Sequence, residues 1–447
     1  MNRYPLLSKT LMIGLLALIL LIPLGMIESK ISERKTLQHS VQEDIARSAA
    51  RPQTLSGPYL VIRYKLREQK KEKDEKGRIR TSIVESLPFE TVIAPHTLKI
   101  TGSADVESRS RGIYKAQLYN LHSKISGSFT LPRAYGLSDK IENIIPEAAY
   151  VVMRVSDSRG IRNTPLLTLN ETTHEFSPGV AAAGSIVSVA GNGMHVALTA
   201  PDVNQPRTFN FSFPLELQGT STLAVQPSGD TTEVAFKSSW PHPSFGGSFL
   251  PRSRNISNQG FSAQWLVTSL AKNSIVQSGN NQQAEAEAFT VDFVDPVNIY
   301  SMSERAVKYG LMFVVLVFTA FFMFEVLRGL RMHPMQYLLV GLSMAIFFLL
   351  IISLSEHIPF LAAYIASGSA CVLLIAFYLA GVLHSARSAL VFSGGITLLY
   401  AVLFGVLQSE DNALLMGSLI LFAALATVMT LTRRMDWYRL NDPSNPV

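Results

Sequence analysis

The sequence is poorest in cysteine and in charge. Of 447 residues, one is a cysteine, Cys371, and 16% are charged. A single cysteine excludes an intramolecular disulfide, so any large polar domain has to be held by its packed core alone. The charge is nearly balanced as well. Nine of the 39 Lys and Arg and six of the 33 Asp and Glu lie outside residues 28–305, which leaves 30 bases and 27 acids inside, a net +3. So diffuse a surplus is not the footprint of a nucleic-acid surface, and nucleic acid is set aside as a partner. Local signatures of catalysis are missing too: no Ser–His–Asp or Cys–His pattern has recognisable context, and "GNG" at 191–193 is a turn rather than a phosphate loop.

What the chain has instead is long apolar runs. They are Leu11–Ile27, Tyr309–Val326, Tyr337–Leu354, Phe360–Leu383, Leu390–Leu407 and Ala413–Leu431. At about 1.5 Å per residue, runs of this length cross a hydrocarbon core of about 30 Å as helices. They contain no Asp, Lys, Arg or His, and Glu325 is the one formal charge among them. Ion-coupled transport uses ionisable groups near the membrane midplane, so their absence counts against a pump. A passive lipid path, or a facilitator using hydroxyls such as Ser343, Ser367, Ser369 and Thr397, stays open.

Arginine and lysine near the ends of the runs set the expected orientation. Arg3 and Lys9, Arg328 and Arg331, Arg387, and Arg433, Arg434 and Arg439 fall on one side. The alternate connections, "SEHIP" (355–359) and "QSEDN" (408–412), carry acids and no Lys or Arg. With six spans, both termini are expected in the cytoplasm and residues 28–305 outside it, periplasmic in a bacterium. Lys30, Arg34, Lys35, Arg305 and Lys308 oppose this, but long domains translocate largely regardless of charge. The first run ends in "LGMIESK" without a small-residue cleavage pair, which favours an uncleaved signal anchor over a removed signal peptide.

Residues 28–50 read as a helical continuation or linker. Beyond them "YLVIRYKL" (59–66), "TFNFSFPLEL" (208–217), "STLAVQPSG" (221–229) and "TEVAFKSSW" (232–240) alternate apolar and polar residues or concentrate β-branched and aromatic ones. The expected fold is therefore membrane α+β: a signal-anchor helix (1–27), a large all-β, sandwich-like domain with antiparallel strands (28–305), and a C-terminal bundle of five transmembrane helices (306–447). "REQKKEKDEKGRIR" (67–80) is either a patch for anionic lipid or polymer or a solvated hairpin tip turning near Gly77.

Polar residues beside the apolar runs are the candidates for chemistry. Arg331, His333, Pro334, Gln336 and Tyr337 precede the third run. As a functional block they gather ligand types; as a structural one, Pro334 suits a first helical turn and Gln336 and Tyr337 suit the headgroup level. Glu356 and His357 end the same helix, about 30 Å from His333, too far to share an ion. Glu325, His333 and His384 remain a conceivable metal set. Ser343 in "GLSM" lacks the embedded histidine that would activate it as a protease nucleophile. In "WPHPSF" (240–245) Trp240 and Phe245 flank His242 in a proline-stiffened loop, either a binding edge or a buried turn.

"RPQTLSGPYLVI" (51–62), "WPHPSF", "FEVLRGLRMHPMQYLLVGLSMAIFFLLIISLSEHIPF" (324–360), "ALLMGSLIL" (413–421) and "TRRMDWY" (432–438) resemble the CreD family of bacterial inner-membrane proteins from end to end. The resemblance implies a role in cell-envelope integrity, colicin tolerance and envelope-stress response under a sensor kinase and response regulator. It implies no enzyme activity, cofactor, metal or catalytic residue. The expected work is non-enzymatic binding of an envelope protein, a periplasmic polymer or lipid. The alternatives are a lipid or small-molecule facilitator in the bundle and an enzyme acting on cell-wall or lipid substrates through the outer domain.

Overall fold

The computed structural model describes residues 5–73, 79–137, 141–180, 192–272, 287–293, 295, 298–328, 332–383, 385–408 and 412–433. Two compact units emerge, residues 1–39 with 297–447 and residues 40–296.

The helical unit contains α1 (Pro5–Ile19), the first part of α2 (Leu21–Ser48), α3 (Ile299–Arg328), α4 (Pro334–Ser355), α5 (Phe360–Leu383), α6 (Ala386–Gln408) and α7 (Ala413–Thr432). Taking α1 and α2 as one run, six helices among the described residues are long and apolar enough to cross a membrane. Each expected apolar run falls in one of them. α3 starts ten residues before its run, where Glu304 and Lys308 pair one turn apart. Between helices, aromatic rings and small residues fill the seams, as expected where lipid offers no hydrophobic penalty to escape. Phe318, Phe321, Tyr337, Phe347 and Phe348 are fully buried. Gly310 lets Leu24 and Phe348 approach to 3.2 Å of where a Cβ would stand, and Gly341 faces Leu20 and Phe318.

The second unit is a two-sheet sandwich. Its strands begin with β1 (Gln53–Lys73), β2 (Ile79–Glu85), β3 (Phe89–Ile93), β4 (Thr97–Arg111), β5 (Tyr114–Leu131), β6 (Ile144–Val155), β7 (Leu166–Leu169), β8 (Thr172–Glu175) and β9 (Ser177–Pro178). They continue with β10 (Gly193–Leu198), β11 (Arg207–Thr220), β12 (Thr222–Val225), β13 (Thr231–Ser238), β14 (Pro243–Gly247), β15 (Ser253–Ser257), β16 (Gly260–Thr268) and β17 (Phe289–Phe293). One sheet runs β14-β17-β12-β1-β6-β10-β9, with β2 and β3 also on β1; the other runs β15-β16-β13-β4-β5-β11-β7-β8. Inward residues of both sheets form one core, in which Trp265 stacks on Phe289 at 4.7 Å and Tyr119 meets Phe293 at 4.9 Å.

The sandwich-like, membrane α+β expectation holds, with one correction. The sheets are not purely antiparallel: β1 pairs with β12, and β4 with β13, in parallel. Parallel neighbours need a long crossover, and here whole strands of the opposite sheet supply it. The charged excursion is a hairpin, since β1 beyond Arg67 pairs antiparallel with β2; its tip near Gly77 lies outside the described residues.

A polar knot explains why "RPQTLSGPYLVI" is so rich in hydrogen-bonding side chains. Gln53 is 1% exposed. Its amide donates to the carbonyls of Asp157 (3.0 Å) and Gln218 (3.2 Å) and accepts from the Asp157 N–H (3.2 Å). The Asp157 carboxylate takes the Arg51 N–H (3.2 Å) and a two-pronged Arg159 guanidinium (2.9 and 2.6 Å). Arg159 in turn donates to the Arg47 carbonyl at the end of α2 (2.6 Å). The Arg159 guanidinium, helped by the backbone N–H groups of Arg51 and Arg159, holds Asp157 down at a pKa of about 2.

Candidate functional site

The polar residues of the helical unit collect at its two ends. One end carries the α3–α4 turn. Glu325 stands in the last turn of α3 with its side chain 5% exposed, a position no carboxylate tolerates without partners. Three donors reach it. The Met332 N–H donates to Oε1 at 2.8 Å, the Tyr337 hydroxyl to Oε2 at 2.8 Å, and the Lys9 ammonium pairs with Oε1. Lys9 also donates to the Met332 carbonyl at 3.3 Å. One carboxylate thereby ties α1, the end of α3, the turn and α4 together.

His333 is the N-cap of α4. Its Nδ1 accepts from the Met335 N–H (3.3 Å), and the Gln336 side-chain oxygen accepts from the His333 N–H (3.0 Å), a reciprocal box with Pro334 in the first turn. Tyr337 is fully buried against Phe318 and Phe321, and the reason is Glu325, which needs a donor inside the bundle. Arg331 and His384 lie outside the described residues. Glu325 and His333 do not converge on a metal, because both Glu325 oxygens and the His333 Nδ1 are engaged elsewhere.

At the opposite end, Glu356 accepts from the Tyr300 hydroxyl (3.1 Å) and lies 3.6 Å from the Arg34 guanidinium. Glu304 bridges Lys35 (3.0 Å) and Lys308 (2.8 Å). His357 is exposed beside this cluster. Among the hydroxyls of the facilitator reading, Ser369 and Thr397 line one lateral cavity of about 530 Å³ between α5 and α6. Ser343 turns its hydroxyl back to the Val340 carbonyl (2.9 Å), and Ser367 is fully buried.

In the sandwich, Trp240 packs on the core and donates its indole N–H to the His242 carbonyl at 3.1 Å, closing the proline-flanked turn on itself. Phe245 lies in β14, 5.7 Å from Trp265. His242 is exposed.

Lys9 is the residue that sequence reading missed, having entered only as an orientation charge. The signal was present. Glu325 is the one acid within the apolar runs, and Lys9 precedes a run expected to start on the same face. Arg34 and Glu356 form a similar pair at the other end.

Six helices long and apolar enough to span a bilayer, with a large β-sandwich between the first and second along the chain, define a membrane protein of the α+β class. The model of the family described as inner membrane protein CreD matches residues 5–438. Inner membrane protein CreD of Escherichia coli (strain K12) is 34% identical over 446 residues, covering 99% of this chain and 96% of that one. The chain belongs to the CreD family. A nutrient-binding protein of Legionella pneumophila and an M1 zinc metallopeptidase of Deinococcus radiodurans align at 10% identity with TM-scores of 0.24 and 0.23. They cover 50% and 45% of this chain and 77% and 42% of their own, a likeness too slight to bear on the fold.

Proposed function

We propose that this inner-membrane protein supports cell-envelope integrity and the envelope-stress response without catalysing a reaction. The sandwich faces the periplasm, both termini face the cytoplasm, and the sandwich surface binds an envelope protein or polymer. What supports this reading is the employment of the polar candidates. His333 and Gln336 cap a helix, Lys9 pairs with Glu325 and Tyr337 donates to it, Arg34 and Tyr300 satisfy Glu356, and Trp240 closes a turn. Most of the described side chains that looked available for chemistry hold the structure, and the exceptions, His242 and His357, are exposed, which points to the surface as the working part.

The test is complementation of a deletion strain, scoring survival in detergent and β-lactam with protein abundance measured alongside. His333→Asn, Glu356→Gln and His242→Ala rescue fully if these residues are structural. A variant present at the normal level that fails to rescue overturns the reading, and His242→Ala failing in this way would revive the enzyme.

One observation favours the facilitator instead. The hydroxyls of Ser367, Ser393 and Tyr400 are buried in the bundle with no hydrogen-bond partner among the described residues. If they line a path, Ser367→Ala, Ser393→Ala and Tyr400→Phe together reproduce the deletion phenotype at unchanged abundance. Full rescue by the triple variant removes this rival.

A further inference from the structure

The two ends of the helical unit treat their cations differently. At the Glu356 end, Lys30, Arg34, Lys35 and Lys308 all stand in ion pairs. At the α3–α4 end, Lys9 is paired, whereas Arg387 and Arg433 are exposed and have no ion pair among the described residues. Towards this end opens a groove of about 520 Å³ walled by α3, α6 and α7.

The groove has the dimensions of one leaflet. Its wall runs from Leu316 to Leu327 on α3, from Val402 back to Val391 on α6, and from Ile420 to Leu431 on α7. Each stretch spans eleven steps, about 17 Å of helix, against about 15 Å for half a hydrocarbon core. The three stretches reach the α3–α4 end together. Arg387 lies one turn before Val391, on the same helical face, whereas Arg433, two residues beyond Leu431, leaves α7 on the opposite face. The walls ask for nothing polar. Thr319 and Thr427 return their hydroxyls to the carbonyls of Val315 (2.8 Å) and Ala423 (2.7 Å). Gly395 leaves open space where a side chain would stand.

We propose that this groove seats one acyl chain of an anionic phospholipid, whose headgroup phosphate is held by Arg387. The apolar trough fixes the chain, and the Arg387 guanidinium, without an ion pair among the described residues, selects the charge. A second protein helix would be a poor occupant at the mouth, where it would have to bury that arginine. The proposal does not depend on the sandwich binding any partner.

The full-length protein is reconstituted into nanodiscs holding equal amounts of palmitoyl-oleoyl phosphatidylglycerol and phosphatidylethanolamine, then released into mild detergent for native mass spectrometry. The wild type is expected to keep one phosphatidylglycerol per chain, enriched several-fold over phosphatidylethanolamine. Gly395→Leu, which fills the trough from open space, abolishes retention. Arg387→Gln, at the surface, keeps a lipid but loses the preference. Equal retention of the two lipids by the wild type overturns the proposal, as does retention unchanged by Gly395→Leu. So does a dimer that Gly395→Leu splits, which would make a second copy the occupant. Thermal unfolding of each variant accompanies the measurement. Should Gly395→Leu unfold, the arginine variant decides alone, and an unchanged preference there sinks the idea.

Discussion

Glu325 is the residue on which the α3–α4 turn rests. A carboxylate with its side chain 5% exposed depends on Lys9, Met332 and Tyr337 at once. Removing one partner of such a pair leaves the other charge buried and costs on the order of 3–5 kcal/mol. Lys9→Met or Glu325→Met alone is therefore expected to lower the thermal midpoint sharply. The double variant should lose clearly less than the sum of the two single losses, because no buried charge is left unpaired, even though the Met332 N–H and the Tyr337 hydroxyl then lack their acceptor. A double-variant loss equal to that sum would show that the pair has no energetic coupling. Asp157 gives a second residue-level prediction, with a pH signature. Its folded pKa of about 2 lies below the usual carboxylate value of about 3.9, so its contribution is complete above pH ~4 and disappears as pH falls through the folded value. After allowance for the half-exposed Arg159, Asp157→Asn should destabilise by about 1–2 kcal/mol at neutral pH. Denaturant midpoints followed through Trp240 and Trp265 fluorescence should converge for wild type and variant near pH 2. These residues were only partly legible. Glu325 stood out as the acid inside an apolar run and Tyr337 as a polar neighbour. That one satisfies the other depends on helix rotation and on α1 arriving from 300 residues away, which a local pattern does not encode.

At the level of elements, α4 shows what local pattern does encode. His-Pro-x-Gln before an apolar run marks a helix start, and the reciprocal cap of His333 and Gln336 bears this out. His333→Ala should cost about 1 kcal/mol, the usual loss of a capping side chain, whereas His333→Asn should keep most of it. A thermal shift of both variants in detergent measures the difference, and identical losses would mean that the imidazole does more than accept one hydrogen bond. The strand runs were legible for the same local reason: "YLVIRYKL" and "TFNFSFPLEL" alternate strongly and sit inside β1 and β11. "STLAVQPSG" was overread. Only Thr222–Val225 is strand, because Pro227 and Gly229 then turn the chain towards the opposite sheet. The parallel pairs escaped altogether, since alternation reports which face is buried and says nothing about the direction of the neighbour.

Across the whole molecule, spans and sandwich could be read from hydrophobic run length and period. Orientation is the matching prediction: alkaline phosphatase fused after Gly229 should be active, and fused after Gln408 also active, whereas a fusion after His333 should be silent. An active fusion after His333 would invert the proposed topology. The order of strands has a consequence for biosynthesis. β1, the first strand, pairs with β12, and β12 pairs with β17, the last. The sheet therefore cannot close until residue 293 has been made, more than two hundred residues after β1. β1 lacks its neighbour until residue 225 has been made, and from there to residue 293 β12 has an open edge, the kind of exposed ladder that recruits a stray strand. α3 follows six residues later, so the sandwich completes at nearly the same moment that the second span is delivered to the membrane. Slowing or stalling insertion of that span is a condition under which this protein should be most prone to aggregate and most in need of a chaperone.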